Sequence, residues 1–148
     1  MIFETMKTEH LEEVEKLQQE WASENITYGL TAGTLQQIAD ALTPYCFVLK
    51  DGQKVIGYLM AEIQQDNTYC VFPKGVRFIE VFDLFISKEY RSRGFGKELL
   101  CLCEKEARKN GILYMLLSSA TKDAEAIRNF YTSNDYAIWT TQFFKNLD

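Results

Sequence analysis

The sequence has too few metal-binding side chains, at the wrong spacing, to predict a metal site. It contains one histidine, His10, and four cysteines, Cys46, Cys70, Cys101 and Cys103, whose spacing is not that of a zinc-binding motif. We therefore expect no metal. We expect the four cysteines to be buried, reduced thiols of a cytoplasmic protein.

Long apolar segments and an excess of basic residues are also lacking. No stretch approaches the roughly 18–20 apolar residues of a membrane span. Residues 1–7 lack the basic start and apolar core of a signal peptide. The formal net charge is −5, which argues against nonspecific binding to nucleic-acid phosphates. These absences predict a cytoplasmic protein that binds neither membranes nor nucleic acid.

The composition is that of a folded domain. The 148 residues are 47% hydrophobic and 14% aromatic, and no linker, repeat or low-complexity tract interrupts them. We expect a single domain over residues 1–148. Periodicity and turn residues predict the order β, α, α, β, β, β, α, β, α, β, with strands at 1–7, 45–49, 55–64, 76–86, 112–118 and 137–144, and helices after Thr8, after Thr34, at 97–109 and at 123–133.

The first two predicted helices have clear capping and core signals. Leu11, Val14, Leu17 and Trp21 recur at helical spacing after Thr8. Thr34 and Gln37 fit a capping box, which opens a second helix with Leu35, Ile38 and Leu42 facing inward.

The most informative segment is Arg-Ser-Arg-Gly-Phe-Gly at positions 91–96, between a predicted strand and a predicted helix. The first amides of a helix have no partner inside it, and the helix dipole places partial positive charge there. Such a turn suits a pyrophosphate, and glycines let a ligand approach the backbone closely. Four cations lie between positions 88 and 97 against one acid, which favours a local anion site: Lys88, Arg91, Arg93 and Lys97.

Two other glycine motifs are excluded. The P-loop pattern needs Ser or Thr after its lysine, but Lys97 is followed by Glu98. The dinucleotide fingerprint needs a third glycine where this chain has Leu99. The remaining pattern, Arg-x-x-Gly-x-Gly, resembles the acetyl-coenzyme A signature of the GNAT superfamily of N-acetyltransferases.

The resemblance extends beyond the six residues. The predicted order of elements is similar to the GNAT fold over essentially the whole chain, and the best-matching stretch is 78–136. It implies an α/β (α+β) fold: a mixed, mostly antiparallel sheet flanked by helices, whose central β-α-β unit binds acetyl-CoA.

The resemblance also implies which residues contact the coenzyme. The strand before the turn would pair with pantetheine, the turn would hold the pyrophosphate, and an asparagine on the later helix would add a contact. In this chain these residues are Leu84, Phe85, Ile86, Arg91, Ser92, Arg93, Gly94, Phe95, Gly96, Lys97 and Asn129. The family's asparagine at the start of that helix is replaced by Asp123 or Ala124.

Three candidate catalytic residues follow from the same resemblance. Glu80 lies eleven positions ahead of Arg91 and is the first candidate for the base that deprotonates an amine, acting through water. Asp83, eight positions ahead, is the second candidate, or binds the ammonium group. Tyr131 would protonate the departing thiolate. These two carboxylates face opposite sides of a regular strand unless a bulge separates them. Alternatively, Glu80 is a surface residue and Tyr131 a core residue.

The resemblance implies an N-acetyltransferase that transfers acetyl directly to a primary amine, of a small molecule in preference to a protein. The alternatives are a non-catalytic CoA-binding sensor and an acyltransferase with another acyl group or acceptor. The acceptor pocket would be formed by 21–34 and 139–144, with aromatic residues that are either lining or core: Trp21, Tyr28, Trp139 and Phe143. A homodimer is compatible with the family, although no residue decides it.

Overall fold

A computed structural model describes residues 1–65 and 68–148. In these residues the strands are β1 (Ile2–Thr5), β2 (Phe47–Asp51), β3 (Lys54–Gln64), β4 (Phe78–Ile86) and β5 (Met115–Leu117), and the helices are α1 (Leu11–Glu24), α2 (Leu35–Asp40), α3 (Phe95–Lys109) and α4 (Ala124–Thr132). The five strands form one sheet in the order β1-β2-β3-β4-β5, antiparallel except for the parallel pair β4–β5. This architecture confirms the predicted fold class.

Each face of the sheet has its own core. Leu11, Val14 and Leu17 of α1, with Ile38 of α2, pack with residues of β2 and β3 on one face. The other face is covered by α3 through four residues, Leu99, Leu100, Cys103 and Ala107, and α4 adds partly buried residues there. The central β-α-β unit, β4–α3–β5, therefore presents its helix to one side and leaves the other side of β4 to α1 and α2.

The predicted capping box of α2 is present. The Thr34 side chain accepts a hydrogen bond from the Gln37 amide, and the Gln37 side chain accepts one from the Thr34 amide. Ile38 is buried as predicted, but the prediction for Leu35 was wrong, since it is 40% exposed. The helix has six residues, too few to bury two successive turns.

The predicted last strand, 137–144, does not form, and the described sheet ends at β5. The edge that β5 offers is three residues long, and three polar residues, 140–142, interrupt the apolar pattern of the segment. Before it, Asp135 adopts a left-handed conformation and the Tyr136 hydroxyl donates to Glu104 on α3 at 3.0 Å. Phe143 and Phe144 remain 91% and 77% exposed.

The prediction of four buried thiols was half wrong. Cys46 and Cys103 are buried, whereas Cys70 and Cys101 are exposed, and all four are free. Burial raises the pKa of the Cys103 thiol to about 12, so this thiol stays protonated at neutral pH.

No helix in the described part of the chain is both long enough and apolar enough to cross a membrane.

Candidate functional site

A β-bulge in β4 brings the two candidate carboxylates to the same face of the sheet. Met60 of β3 pairs with Asp83 while the next residue, Ala61, pairs with Val81, so Phe82 is the extra residue. Glu80 and Asp83, three positions apart, consequently both lie on the side of α1 and α2. The bulge that could align them is therefore present in the strand.

Asp83 is held by two donors on one oxygen. Gln18 Nε2 of α1 donates to Asp83 Oδ2 at 2.9 Å, and the hydroxyl of Tyr58 on β3 donates to the same atom at 3.2 Å. Burial raises the pKa of Asp83 to about 6, against the two hydrogen bonds, which lower it. The carboxylate is thus mostly ionised at neutral pH but close to the pH at which it takes a proton.

Glu80 has a different environment. Its side chain is half-buried and lies directly opposite Glu62 in the antiparallel register. Glu62 accepts a hydrogen bond from Gln64 at 2.7 Å. Like charges directly opposite each other on neighbouring strands are destabilising, so a cation bound between these two carboxylates would relieve the repulsion.

Asp83 opens onto a cleft of about 310 Å³ between the sheet and the first two helices. One wall is the loop between α1 and α2, and the floor is formed by β3 and β4. The lining residues are Gln18, Leu30, Thr31, Ala32, Gly33, Gln37, Ile38, Ala41, Met60, Phe82 and Asp83.

The edge of β4 is open from the bulge onwards. β5 pairs with β4 through Ile79, Glu80 and Val81 and then ends. The Ser87 amide donates to Ile56 of β3 at 2.9 Å, so by strand alternation the backbone groups of Leu84 and Ile86 point to the open side and those of Phe85 point to β3. The opening therefore begins beside Phe82 and Asp83, where the cleft ends.

The turn after β4 presents free amides. No described residue accepts a hydrogen bond from the amides of residues 92–97, and the first capping bond is made by the Glu98 amide to Gly94. Ser92 and Gly94 have φ values of 60° and 82°. A Cβ on Gly94 would meet no atom within 4 Å, so the space over this residue is open.

Gly96 has another role. A Cβ at this position would lie 3.2 Å from Cζ of Phe130, on α4. The second glycine of the signature therefore allows α4 to pack against the start of α3, whereas Gly94 faces open space.

The side chain of Arg91 is fully engaged within the protein. Its guanidinium group donates to Glu24 of α1 from Nη1 at 2.7 Å and from Nη2 at 2.5 Å, and Nε donates to the Ile86 carbonyl at 2.8 Å. It also lies 5.2 Å from the ring centroid of Phe85. Lys97 is exposed, and Arg93, also exposed, donates to the Glu89 carbonyl at 2.9 Å. Of the predicted anion ligands, Arg91 can serve only through its backbone unless it leaves Glu24.

Tyr131 lies on α4, on the opposite side of the sheet from the carboxylates. Its ring packs edge-on against Phe130 and Tyr136, with centroids 5.0 and 5.8 Å away. Burial raises the pKa of its hydroxyl to about 12, so it is protonated at neutral pH. Asn129 is exposed on the same helix, and Asp123 caps α4 by accepting from the Ala126 amide at 3.0 Å.

The loop after α1 is hydrogen-bonded to the loop after β5. The amide of Tyr28 donates to Ala120 at 2.9 Å, and the amide of Lys122 donates to Ile26 at 2.8 Å. Thr27 and Thr121 form an isolated antiparallel bridge. The loop after α1 is thereby tied to the loop after β5.

The predicted aromatic residues do not line the cleft. Trp21 stacks on Phe85 at 5.3 Å, and Tyr28 meets Phe144 edge-on at 5.2 Å. Trp139 packs against Tyr69. Sequence reasoning instead missed Gln18 and Tyr58, which bind Asp83. The spacing of Gln18 from Leu11 and Val14, seven and four residues, places it beside the buried stripe of α1 and is the one signal that could have found it.

The sequence model of the acetyltransferase (GNAT) family matches residues 8–136 of this chain. No protein with a curated description matches it. Among solved structures, the chain is similar to an aminoglycoside acetyltransferase, meta-AAC0020, from an uncultured soil metagenomic sample, crystallised with trehalose. That protein is 16% identical, with a TM-score of 0.73 over 99% of this chain and 96% of that one.

Two further structures are similar over 99% of this chain. A tetramutant of the BH1408 protein from Bacillus halodurans is 15% identical, with a TM-score of 0.80 over all of that chain. The aminoglycoside N-acetyltransferase AAC(6')-Iy, in complex with CoA, is 17% identical, with a TM-score of 0.72 over 99% of that chain. At these identities the likeness establishes the fold.

Proposed function

The chain belongs to the acetyltransferase (GNAT) family, and from this premise we propose that it transfers acetyl from acetyl-CoA directly to the primary amine of a small molecule. One observation carries the proposal: the opening along β4 begins at the residues, Phe82 and Asp83, that also line the cleft. A thioester in the opening and an amine in the cleft would meet beside the Asp83 carboxylate.

The turn after β4 fits a pyrophosphate. Its free amides at 92–97 are donors aimed beyond the helix, and Gly94 leaves the space in front of them open. Arg93 and Lys97 add positive charge from exposed side chains. Above the turn, the open-edge groups of Leu84 and the Ile86 amide suit the pantetheine arm. When bound, acetyl-CoA supplies the activated acyl thioester.

Asp83 is our choice for the base. An alkylamine with a pKa near 10.4 is only about 0.04% neutral at pH 7, so attack requires removal of a proton. Asp83 is mostly ionised at pH 7, and it lies in the cleft, where it can attract the ammonium group and then accept its proton. Glu80, on the same face, becomes the second candidate. This ranking reverses the one expected from the resemblance, in which Glu80 came first.

The reaction balances with these groups. Asp83 takes one proton from the ammonium nitrogen and releases it to solvent, and the neutral nitrogen then forms the new bond to the acyl carbon. As the carbon–sulfur bond breaks, Tyr131, protonated at neutral pH, gives its proton to the departing thiolate, and the second proton that nitrogen loses returns through solvent to Tyr131. The backbone amides of the open edge are available to stabilise the oxyanion.

The cleft supports a small acceptor. Its volume of about 310 Å³ is at the lower end for small-molecule sites, and its walls mix amide side chains with small apolar residues. Two proteins of the same fold carry the name aminoglycoside acetyltransferase, and one of them is described in complex with sisomicin. We therefore place amino sugars first among the candidate acceptors.

The alternatives are a CoA-binding sensor and transfer of another acyl group or to another acceptor. A thiol-release assay with acetyl-CoA and a panel of amines separates them. Thiol release that depends on an amine, with N-acetylated product by mass spectrometry, is the expected result. Tight CoA binding without turnover on any amine supports the sensor, and turnover only with longer acyl-CoAs supports the second alternative.

The remaining expectations stay proposals. We propose that residues 1–148 act as one catalytic domain in the cytoplasm, without a metal. The homodimer expected from the resemblance also stays a prediction, and size-exclusion chromatography with light scattering tests it.

A further inference from the structure

The side-chain amide of Gln18 is hydrogen-bonded at both ends. Its Oε1 accepts from the Gly33 amide at 2.8 Å, and its Nε2 donates to Asp83 Oδ2 at 2.9 Å. Because a backbone N–H can only donate, the oxygen of the amide must face Gly33 and its NH₂ group must face Asp83. The donor to Asp83 is therefore fixed by the loop between α1 and α2.

The two donors leave the carboxylate of Asp83 asymmetric. Gln18 and Tyr58 both donate to Oδ2, and no described residue donates to Oδ1. Oδ2 is thus the anchored oxygen, and Oδ1 is the oxygen with capacity to accept a further proton or an ammonium hydrogen.

We propose that Gln18 is a positioning residue for acetyl transfer: it holds Asp83 by Oδ2, so that Oδ1 is offered to the amine, and it fixes the cleft wall at Gly33. This role rests on the proposed function. It goes beyond that function because it assigns Gln18 a role that is exerted through Asp83 and the loop at Gly33.

The environment makes the role measurable. The hydrogen bonds from Tyr58 and Gln18 lower the pKa of Asp83, while burial raises it. The only titratable group in contact with this carboxylate, in the part of the chain described, is Tyr58 of β3, and Glu80 lies on the same strand face. The contact from α1, made by Gln18, is a neutral amide. Loss of the Gln18 donor should therefore raise the pKa of Asp83 without a compensating charge.

The first test is a titration of Asp83 without substrates. The ¹³C resonance of its carboxyl group, assigned by its absence in Asp83→Asn, is followed against pH in the wild type and in Gln18→Leu. We expect the midpoint to rise by about one pH unit, the size of one charged hydrogen bond. Gln19→Leu, an exposed neighbour on the same helix, should leave it unchanged.

Two further variants keep the test decisive. If Gln18→Leu does not fold, Gln18→Met, which is unbranched and neutral like glutamine, removes the donor without adding a charge, and it should raise the midpoint as well. Gly33→Ala keeps Gln18 but places a Cβ 3.0 Å from Oε1, so it should move the midpoint in the same direction by a smaller amount.

Activity measurements distinguish failure of the role of Gln18 from failure of the proposed acetyltransferase function. In Gln18→Leu, kcat should fall about tenfold or more, and the acidic limb of the pH profile should move with the Asp83 midpoint. An active wild type with an unmoved Asp83 midpoint in Gln18→Leu overturns the role of Gln18 alone. A wild type that acetylates no amine overturns the proposed function, whatever the titration shows.

Discussion

Glu24 on α1 holds the guanidinium of Arg91, the first residue of the glycine-turn signature, through two hydrogen bonds of 2.7 and 2.5 Å. The pair is partly buried, and Ser87 adds a second link by donating to Glu20 at 3.2 Å. The last turns of α1 are thus fixed to the start of the turn that we propose binds pyrophosphate. The side chain of Arg91 therefore holds the turn in place by binding Glu24.

This contact predicts that Arg91 contributes to stability more than to phosphate binding. Glu24→Gln and Arg91→Gln should each lower the free energy of unfolding by about 1–3 kcal/mol, because each leaves a half-buried charge unpaired. Urea unfolding of both variants and the double variant gives the coupling energy. Full additivity would contradict the pairing. Arg93→Gln, on an exposed cation, is the control.

Asp83→Asn should stabilise the protein at neutral pH. The pKa of Asp83 in the folded state is raised from 3.8 to about 6, so the folded protein binds more protons than the unfolded chain between these values. Stability contributed by this carboxyl is therefore lost as the pH rises from about 4 to about 6, by roughly 3 kcal/mol at most. The advantage of the variant should be small at pH 4 and grow to a plateau above pH 6 in urea unfolding. An advantage independent of pH contradicts the raised pKa.

Enzyme kinetics can show whether Asp83 or Glu80 is the base. In the wild type, kcat/KM should fall below about pH 6 as Asp83 takes up a proton, and Asp83→Asn should lower it about a hundredfold or more and abolish that limb. Glu80→Gln should lower turnover most near neutral pH and less at high pH only if Glu80 is the base. A retained acidic limb in Asp83→Asn, with a lost one in Glu80→Gln, would return the base to Glu80.

Gly94 offers a test of the coenzyme turn with a matched control. Gly94 and Gly111 have φ values of 82° and 70°, and a Cβ on either would meet no atom within 4 Å. Gly94→Val and Gly111→Val should both lower stability by about 1–2 kcal/mol through backbone strain. Only Gly94→Val should also weaken CoA binding, by tenfold or more in calorimetry. Equal CoA affinities would place the ligand elsewhere.

Tyr131 can be tested as the proton donor to the thiolate, with Tyr136 as the matched control. The hydroxyl of Tyr136 donates to Glu104 at 3.0 Å, whereas no described residue binds that of Tyr131. Tyr131→Phe should lower kcat by tenfold or more with little change in unfolding, and Tyr136→Phe should cost about 1 kcal/mol of stability with kcat preserved. A Tyr131→Phe enzyme with full kcat would make Tyr131 a core residue.

The sequence predicted elements where local signals decide the structure. The strand–turn–helix unit around Gly94 and the capping box of Thr34 depend on short-range chemistry, and both are present. The strand predicted at 137–144 also had a local apolar pattern, but a strand needs an edge to pair with, and β5 provides three residues. That requirement is not local, so the pattern alone could not reveal it.

The site was predicted less completely for the same reason. Positions 80 and 83 stand out because acidic residues interrupt an apolar strand, but their common face depends on the register with β3. The partners of Asp83, Gln18 and Tyr58, lie 65 and 25 residues away in sequence. The engagement of Arg91 by Glu24, 67 residues earlier, was equally invisible to a motif.

The extra residue in β4 determines which side of the sheet each of the two carboxylates faces. Side chains alternate along a strand, so Glu80 and Asp83, an odd number of positions apart, share a side only because Phe82 adds one to the count. Deleting Phe82 would remove the bulge and leave the two carboxylates two positions apart in a regular strand, still on one side. Inserting one residue between them while the bulge remains would instead send one carboxylate to the α3 side. The odd spacing and the bulge are therefore a single feature, and the carboxylates keep a common side only if both are retained or both are lost.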